Sequence, residues 1–110
     1  MIRVKIYKNE KNECVGFQAH GHAGMSEAGQ DIVCAAASVL MINTVNAIDR
    51  YAPDKTSLVS DDPEGLIEYQ IKGRPSKEAA LLLNAMLLGI EEMADDENYE
   101  EYIELDFEEV

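Results

Sequence analysis

At 110 residues the chain is long enough for one domain, residues 1–110, and its 46% hydrophobic content supplies a single core. A net charge of −13 argues against direct nucleic-acid binding, because phosphate contacts need a basic patch. The chain has neither an apolar leader nor an unbroken apolar run of about 18 residues, so a cytoplasmic protein without membrane contact is expected.

Ile2, Val4 and Ile6 alternate with Arg3, Lys5 and Tyr7, the period of a strand with one buried face. Polar residues from Lys8 to Glu13 form a turn. Val15, Phe17 and Ala19 then alternate with Gly16, Gln18 and His20, which completes a β-hairpin. Cys14, at the start of that strand, reads as structural. His20 reads as a polar-face residue.

From Gly21 to Gln30 the chain carries Gly21, Gly24 and Gly29. This connection is longer than a strand-to-helix link needs, and such loops are often functional. Asp31 is placed to cap a helix running to about Asp49. The first half of that helix has little polar surface and is expected to be buried on most sides. Ala52-Pro53 ends it.

Thr56 to Ser60 and Leu66 to Ile71 form a second strand pair around the turn residues Asp61 to Gly65. Ser76 caps a second helix, which runs to about Ala94. Its apolar stripe is Ala79, Leu82, Leu83, Met86, Leu87, Ile90 and Met93. Leu81 and Leu88 lie off that stripe, one heptad apart, and mark a homodimer contact. A final strand carries Ile103, Leu105 and Phe107. The expected fold is α+β, ordered β-β-α-β-β-α-β, with two helices on a mostly antiparallel sheet.

Half of the 22 acidic residues lie from Glu91 onward, where no Lys or Arg occurs. They make a solvated, self-repelling surface or a face that steers a basic partner. Two cysteines are too few for a disulfide scaffold. With the two histidines they make no zinc spacing, so no metal or other cofactor is expected.

The chemistry concentrates between His22 and Cys34. A thiol attacks as thiolate, and a free cysteine titrates near about 8.5. A helix start offers partial positive charge and unpaired N–H groups, and a protonated His22 would add a full charge. On this sequence Cys34 falls at such a start, where backbone N–H groups could hold an oxyanion. Asp31 either caps the helix or orients His22. Ser38, one turn after Cys34, either serves the site or bonds back to the Cys34 carbonyl. Against this stands a plainer account, in which Cys34 is a small buried hydrophobe of an Ala-rich helix.

Gly21-His22-Ala23-Gly24, then Gly29, then Asp31-Ile32-Val33-Cys34-Ala35-Ala36 with Ser38, closely resembles the signature of the ribosomal-processing cysteine proteases, the Prp or YsxB-like family. The resemblance covers the whole chain. It implies a cysteine endopeptidase that removes the N-terminal extension of large-subunit ribosomal protein twenty-seven during ribosome maturation. It further implies a homodimer with a mobile loop over a Cys–His dyad. Matched by motif, Cys34 is the nucleophile and His22 the base; Asp31 and Ser38 support them, and Gly21, Gly24 and Gly29 belong to the loop. The acidic surface would then face a basic ribosomal protein. Two alternatives of other classes are a non-catalytic ribosome-associated binding module and a thiol redox sensor.

Overall fold

The computed structural model describes the backbone of residues 1–21, 28–61 and 65–110, with side chains throughout these except at 28–31. The strands are β1 (Ile2–Lys8), β2 (Cys14–His20), β3 (Thr56–Asp61), β4 (Leu66–Ile71) and β5 (Ile103–Glu109). The helices are α1 (Ala28–Tyr51) and α2 (Lys77–Asp95), with a 3-10 turn at Glu100–Tyr102 that the sequence pattern does not announce. One five-stranded sheet has the order β3-β4-β2-β1-β5. Every pair in it is antiparallel except β1 with β5, so the expected α+β architecture stands.

The register explains the core. Ile6 pairs with Phe17 and Phe17 with Tyr69, while Val4 pairs with Ala19 and Ala19 with Ile67. Paired residues share a face, so these side chains line the side of the sheet that the helices cover. The Phe17 and Tyr69 rings meet at 5.7 Å between centroids. Val15 departs from the expected alternation. The register steps from Tyr7–Gly16 to Lys8–Cys14 and passes over it. At this bulge Cys14 joins the core at 3% exposed, and Val15 is buried as well, at 7%. Burial raises the Cys14 thiol above its ordinary value, as a structural cysteine requires.

Helix α1 begins at Ala28, three residues before Asp31, and runs to Tyr51. Asp31 is therefore its fourth residue and not its N-cap. Gly29 is its second residue and belongs to the helix rather than to the loop. The helix is not buried on most sides. Val33, Ala37, Met41, Thr44 and Ile48 form one buried line, while Ile32, Val39 and Ile42 are exposed. From Ile32 to Tyr51 it is long and apolar enough to cross a membrane by length and composition. Its buried line nonetheless sits in the core of this domain. Thr44, the polar member of that line, donates to the Leu40 carbonyl at 2.7 Å and so leaves no unmet hydroxyl.

Helix α2 starts as its sequence indicates. Ser76 is the N-cap and its hydroxyl oxygen accepts from the Ala79 N–H at 3.1 Å. The Asp54 carboxylate accepts from both the Ser76 N–H, at 2.8 Å, and the Ser76 hydroxyl. This ties the end of α1 to the start of α2. Ala79, Leu83, Met86, Leu87 and Ile90 face the core, and Leu81 and Leu88 are exposed. Gly89 lets the helices approach, since a Cβ there would stand 2.6 Å from Leu40 Cδ2. Phe107, on the edge strand β5, is 54% exposed.

Candidate active site

Cys34 is the seventh residue of α1 and is partly exposed. It packs against the margin of the core on one side and opens onto a cleft of about 530 Å³ on the other. A volume of this order is typical of ligand sites. One wall of the cleft is α1, with Cys34, Ser38, Ile42, Val45 and Asn46. Its floor is the edge of the sheet, with Leu58 and Ser60 of β3 and Ile67 of β4. Gly21 also lines it, where the chain leaves β2.

Of the residues expected at the site, Gly21, Cys34 and Ser38 meet on this one cleft. The two α1 members follow from helical spacing, since residues four apart share a face. Gly21 has φ +112°, a conformation that L side chains rarely adopt. A Cβ at Gly21 would also stand 2.5 Å from the Met1 carbonyl oxygen. His22 and Gly24 lie outside the described residues, as does the Asp31 side chain. His20 is exposed and borders a polar hollow on the opposite face of the sheet, beside Arg3, Lys5 and Gln18. It is a polar-face residue, as its strand position indicated.

The new position of the helix start changes the expected chemistry. Only the first four N–H groups of an α-helix lack an intrahelical partner. Among the described residues they include those of Ala28, Gly29 and Gln30. The Cys34 N–H lies inside the ladder, directed to the Gln30 carbonyl, and is not available to an oxyanion.

Sequence pattern missed the remainder of the cleft. Ile42, Val45 and Asn46 stand eight, eleven and twelve residues beyond Cys34, on the same side of α1. Extending the face of Cys34 and Ser38 along the helix would have found them. Leu58 and Ile67 carry no such signal, because only the sheet order brings β3 and β4 beneath α1.

No disulfide joins Cys14 and Cys34. No cluster of metal-ligating side chains occurs among the described residues.

A partly exposed cysteine on the wall of an open cleft, held by a central helix over a five-stranded sheet, fits a small α+β thiol enzyme. The comparisons with known proteins agree. The family model of "Cysteine protease Prp" matches residues 1–104. The chain belongs to the cysteine protease Prp family and is a cysteine protease by that membership. It is 33% identical over 107 residues to the ribosomal processing cysteine protease Prp of Staphylococcus aureus, covering 97% of this chain and 99% of that one. A crystal structure of an essential ribosomal processing protease Prp from S. aureus in complex with a substrate peptide superposes with a TM-score of 0.90 at 30% identity, covering 98% of this chain and 100% of the other. A crystal structure of SMU.848 from Streptococcus mutans has a TM-score of 0.86 at 32% identity, covering 100% and 99%.

Proposed function

We propose that this protein removes the N-terminal extension of large-subunit ribosomal protein twenty-seven in the cytoplasm, during ribosome maturation. Family membership supports the reaction type, and the S. aureus relative carries ribosomal processing in its name. The observation that bears most on it is the setting of Cys34, a partly exposed thiol on a cleft large enough for a peptide.

In this mechanism His22 takes the thiol proton, and the Cys34 thiolate attacks the scissile carbonyl carbon to form the C–S bond. Imidazolium then protonates the leaving amine as the C–N bond breaks. His22 next activates a water that releases the acyl group and returns the thiol. Ser38 lines the cleft one turn along α1 and supports the bound peptide. Asp31, in the first turn of α1, orients His22. The net charge of −13 draws a basic ribosomal protein toward the enzyme. Leu81 and Leu88, 69% and 59% exposed, form the contact of a homodimer.

The test is cleavage of a peptide carrying the extension, followed by mass spectrometry, with Cys34→Ala and His22→Ala beside the wild type. Cleavage by the wild type alone is the expected result. Full cleavage by Cys34→Ala would refute the assignment of the nucleophile. Fast alkylation of Cys34 by iodoacetamide at neutral pH, with no peptide cleaved, would favour a redox sensor; slow alkylation would favour a binding module.

A further inference from the structure

Phe107 is an aromatic side chain that the fold leaves half open. It pairs with Ile6, which is fully buried, so its ring stands on the side of the sheet that carries the helices. With Leu87 of α2 it floors a groove of about 480 Å³. Lys8, Glu10 and Glu109 line the groove from the ends of β1 and β5, and Glu91 lines it from α2. This groove shares no residue with the cleft at Cys34.

Charge decides what such a groove takes. Glu10, Glu91 and Glu109 make no ion pair among the described residues. The cation that the chain itself places there is Lys8, whose ammonium lies 5.9 Å from the centre of the Phe107 ring, at the outer reach of a cation–π contact. An aromatic floor bounded by three carboxylates and one ammonium attracts a further cation. An acidic partner would be repelled, and a purely apolar one would strip water from the carboxylates without pairing them.

We infer that the groove is an exosite for a basic segment of the protein substrate, in which an arginine or lysine stacks on Phe107 with its charge toward Glu91 and Glu109. The inference rests on the proteolytic role proposed above. The separation of the two sites sets where that segment lies. Across the sheet, β5 is three strands from β4 under the cleft, about 14 Å. Along the sheet, Phe107 is level with Ile6, and His20, where β2 ends at the cleft, is level with Arg3. Those three residues add about 10 Å, so the direct span is about 17 Å. An extended peptide advances about 3.3 Å per residue, which puts the basic residue at least about five positions from the cleaved bond.

The experiment uses the full chain and a peptide cut by the wild type, lengthened on one side or the other by a neutral extension of about ten residues, enough to cover the span. The extension carries two residues that are Arg, Gln or Glu. Cleavage is measured at about 0.15 M salt, where charges further than about 8 Å away are screened. On one side the Arg peptide is cut about 10-fold more efficiently than the Gln peptide, through KM rather than kcat. Phe107→Ala, which leaves the charge unchanged, and Glu91→Gln with Glu109→Gln each bring that ratio below about 3-fold. Glu100→Gln with Glu101→Gln removes the same charge from the 3-10 turn, outside the groove, and retains the ratio. Glu91→Lys with Glu109→Lys cuts the Glu peptide faster than the wild type does, a gain that misfolding does not produce. A wild type with no Arg preference on either side overturns the exosite alone. So does a preference that survives Phe107→Ala, or one lost equally in the Glu100 and Glu101 control. A wild type that cleaves no peptide overturns the protease proposal and the exosite together.

Discussion

Two glycines of positive φ allow backbone strain to be separated from steric conflict. Gly73 has φ +82°, and a Cβ built on it meets nothing within 4 Å. Gly73→Ala therefore costs only the left-handed conformation, about 1 kcal/mol. Gly21 has φ +112°, and its Cβ would stand 2.5 Å from the Met1 carbonyl oxygen and 3.4 Å from Ile2 Cα. That carbonyl cannot simply retreat, because Ile2 is 3% exposed and paired with Ile103. Gly21→Ala adds an overpacking cost of roughly 1–3 kcal/mol to a backbone cost of similar size, so about 2–5 kcal/mol in all. Urea denaturation followed by circular dichroism measures both. A domain of this size loses about 4–8 °C in Tm per kcal/mol, so Gly73→Ala melts about 5 °C lower and Gly21→Ala at least about 10 °C lower. Gly21 also lines the cleft, so peptide cleavage falls in that variant even where it remains folded. Equal stabilities, within about 0.5 kcal/mol, would refute the steric argument.

The Tyr7 hydroxyl is buried and donates to Glu68 at 2.9 Å, and burial first, then Glu68, pushes its pKa up to about 12. Since the folded value is the higher one, its contribution is whole below the ordinary 10.0 and is lost as pH rises toward 12. Tyr7→Phe removes at most about 3 kcal/mol of that alkaline loss, measured as unfolding free energy against pH; an unchanged slope would refute it. Ser76→Ala deletes the N-cap of α2 and the hydroxyl bond to Asp54, and lowers stability in urea by about 1–2 kcal/mol. Leu81→Glu with Leu88→Glu converts a dimer to a monomer in sedimentation at micromolar concentration, and a wild type that is already monomeric there overturns the contact.

Where sequence periodicity met one dominant force, the structure followed it. Ser76 caps α2 because its hydroxyl reaches the Ala79 N–H of the first turn. The stripe of α2 faced the core because its apolar residues keep the helical period. Alternation along β2 breaks at the bulge against β1, where Cys14, Val15 and Gly16 are all buried. The start of α1 was misplaced by four residues, from Ala28 to Ile32. Asp31 has the chemistry of a cap, but Ala28, Gly29 and Gln30 before it extend the helix. The motif singled out Cys34, which lines the cleft. The apolar stretch of the cleft at Ile42 and Leu58 was not legible, because the exposed apolar surface of α1 reads in sequence like surface meant for the core.

The longer helix reassigns the work of the active site. Cys34 stands about 9 Å along the helix from Ala28. The macrodipole acts mainly within the first turn, so it gives this thiol little help in ionising. Oxyanion donors cannot come from the Cys34 backbone, whose N–H is already engaged in the helix. In the proposed mechanism both tasks then pass from the Cys34 backbone to other groups of the site. In the proposed mechanism this leaves His22 as the principal source of positive charge at the sulfur, beyond its part in proton transfer. Replacing it then costs more than a general base alone would. A His22→Gln enzyme should alkylate at neutral pH as slowly as an ordinary thiol, and fast alkylation would return the activation of Cys34 to the helix.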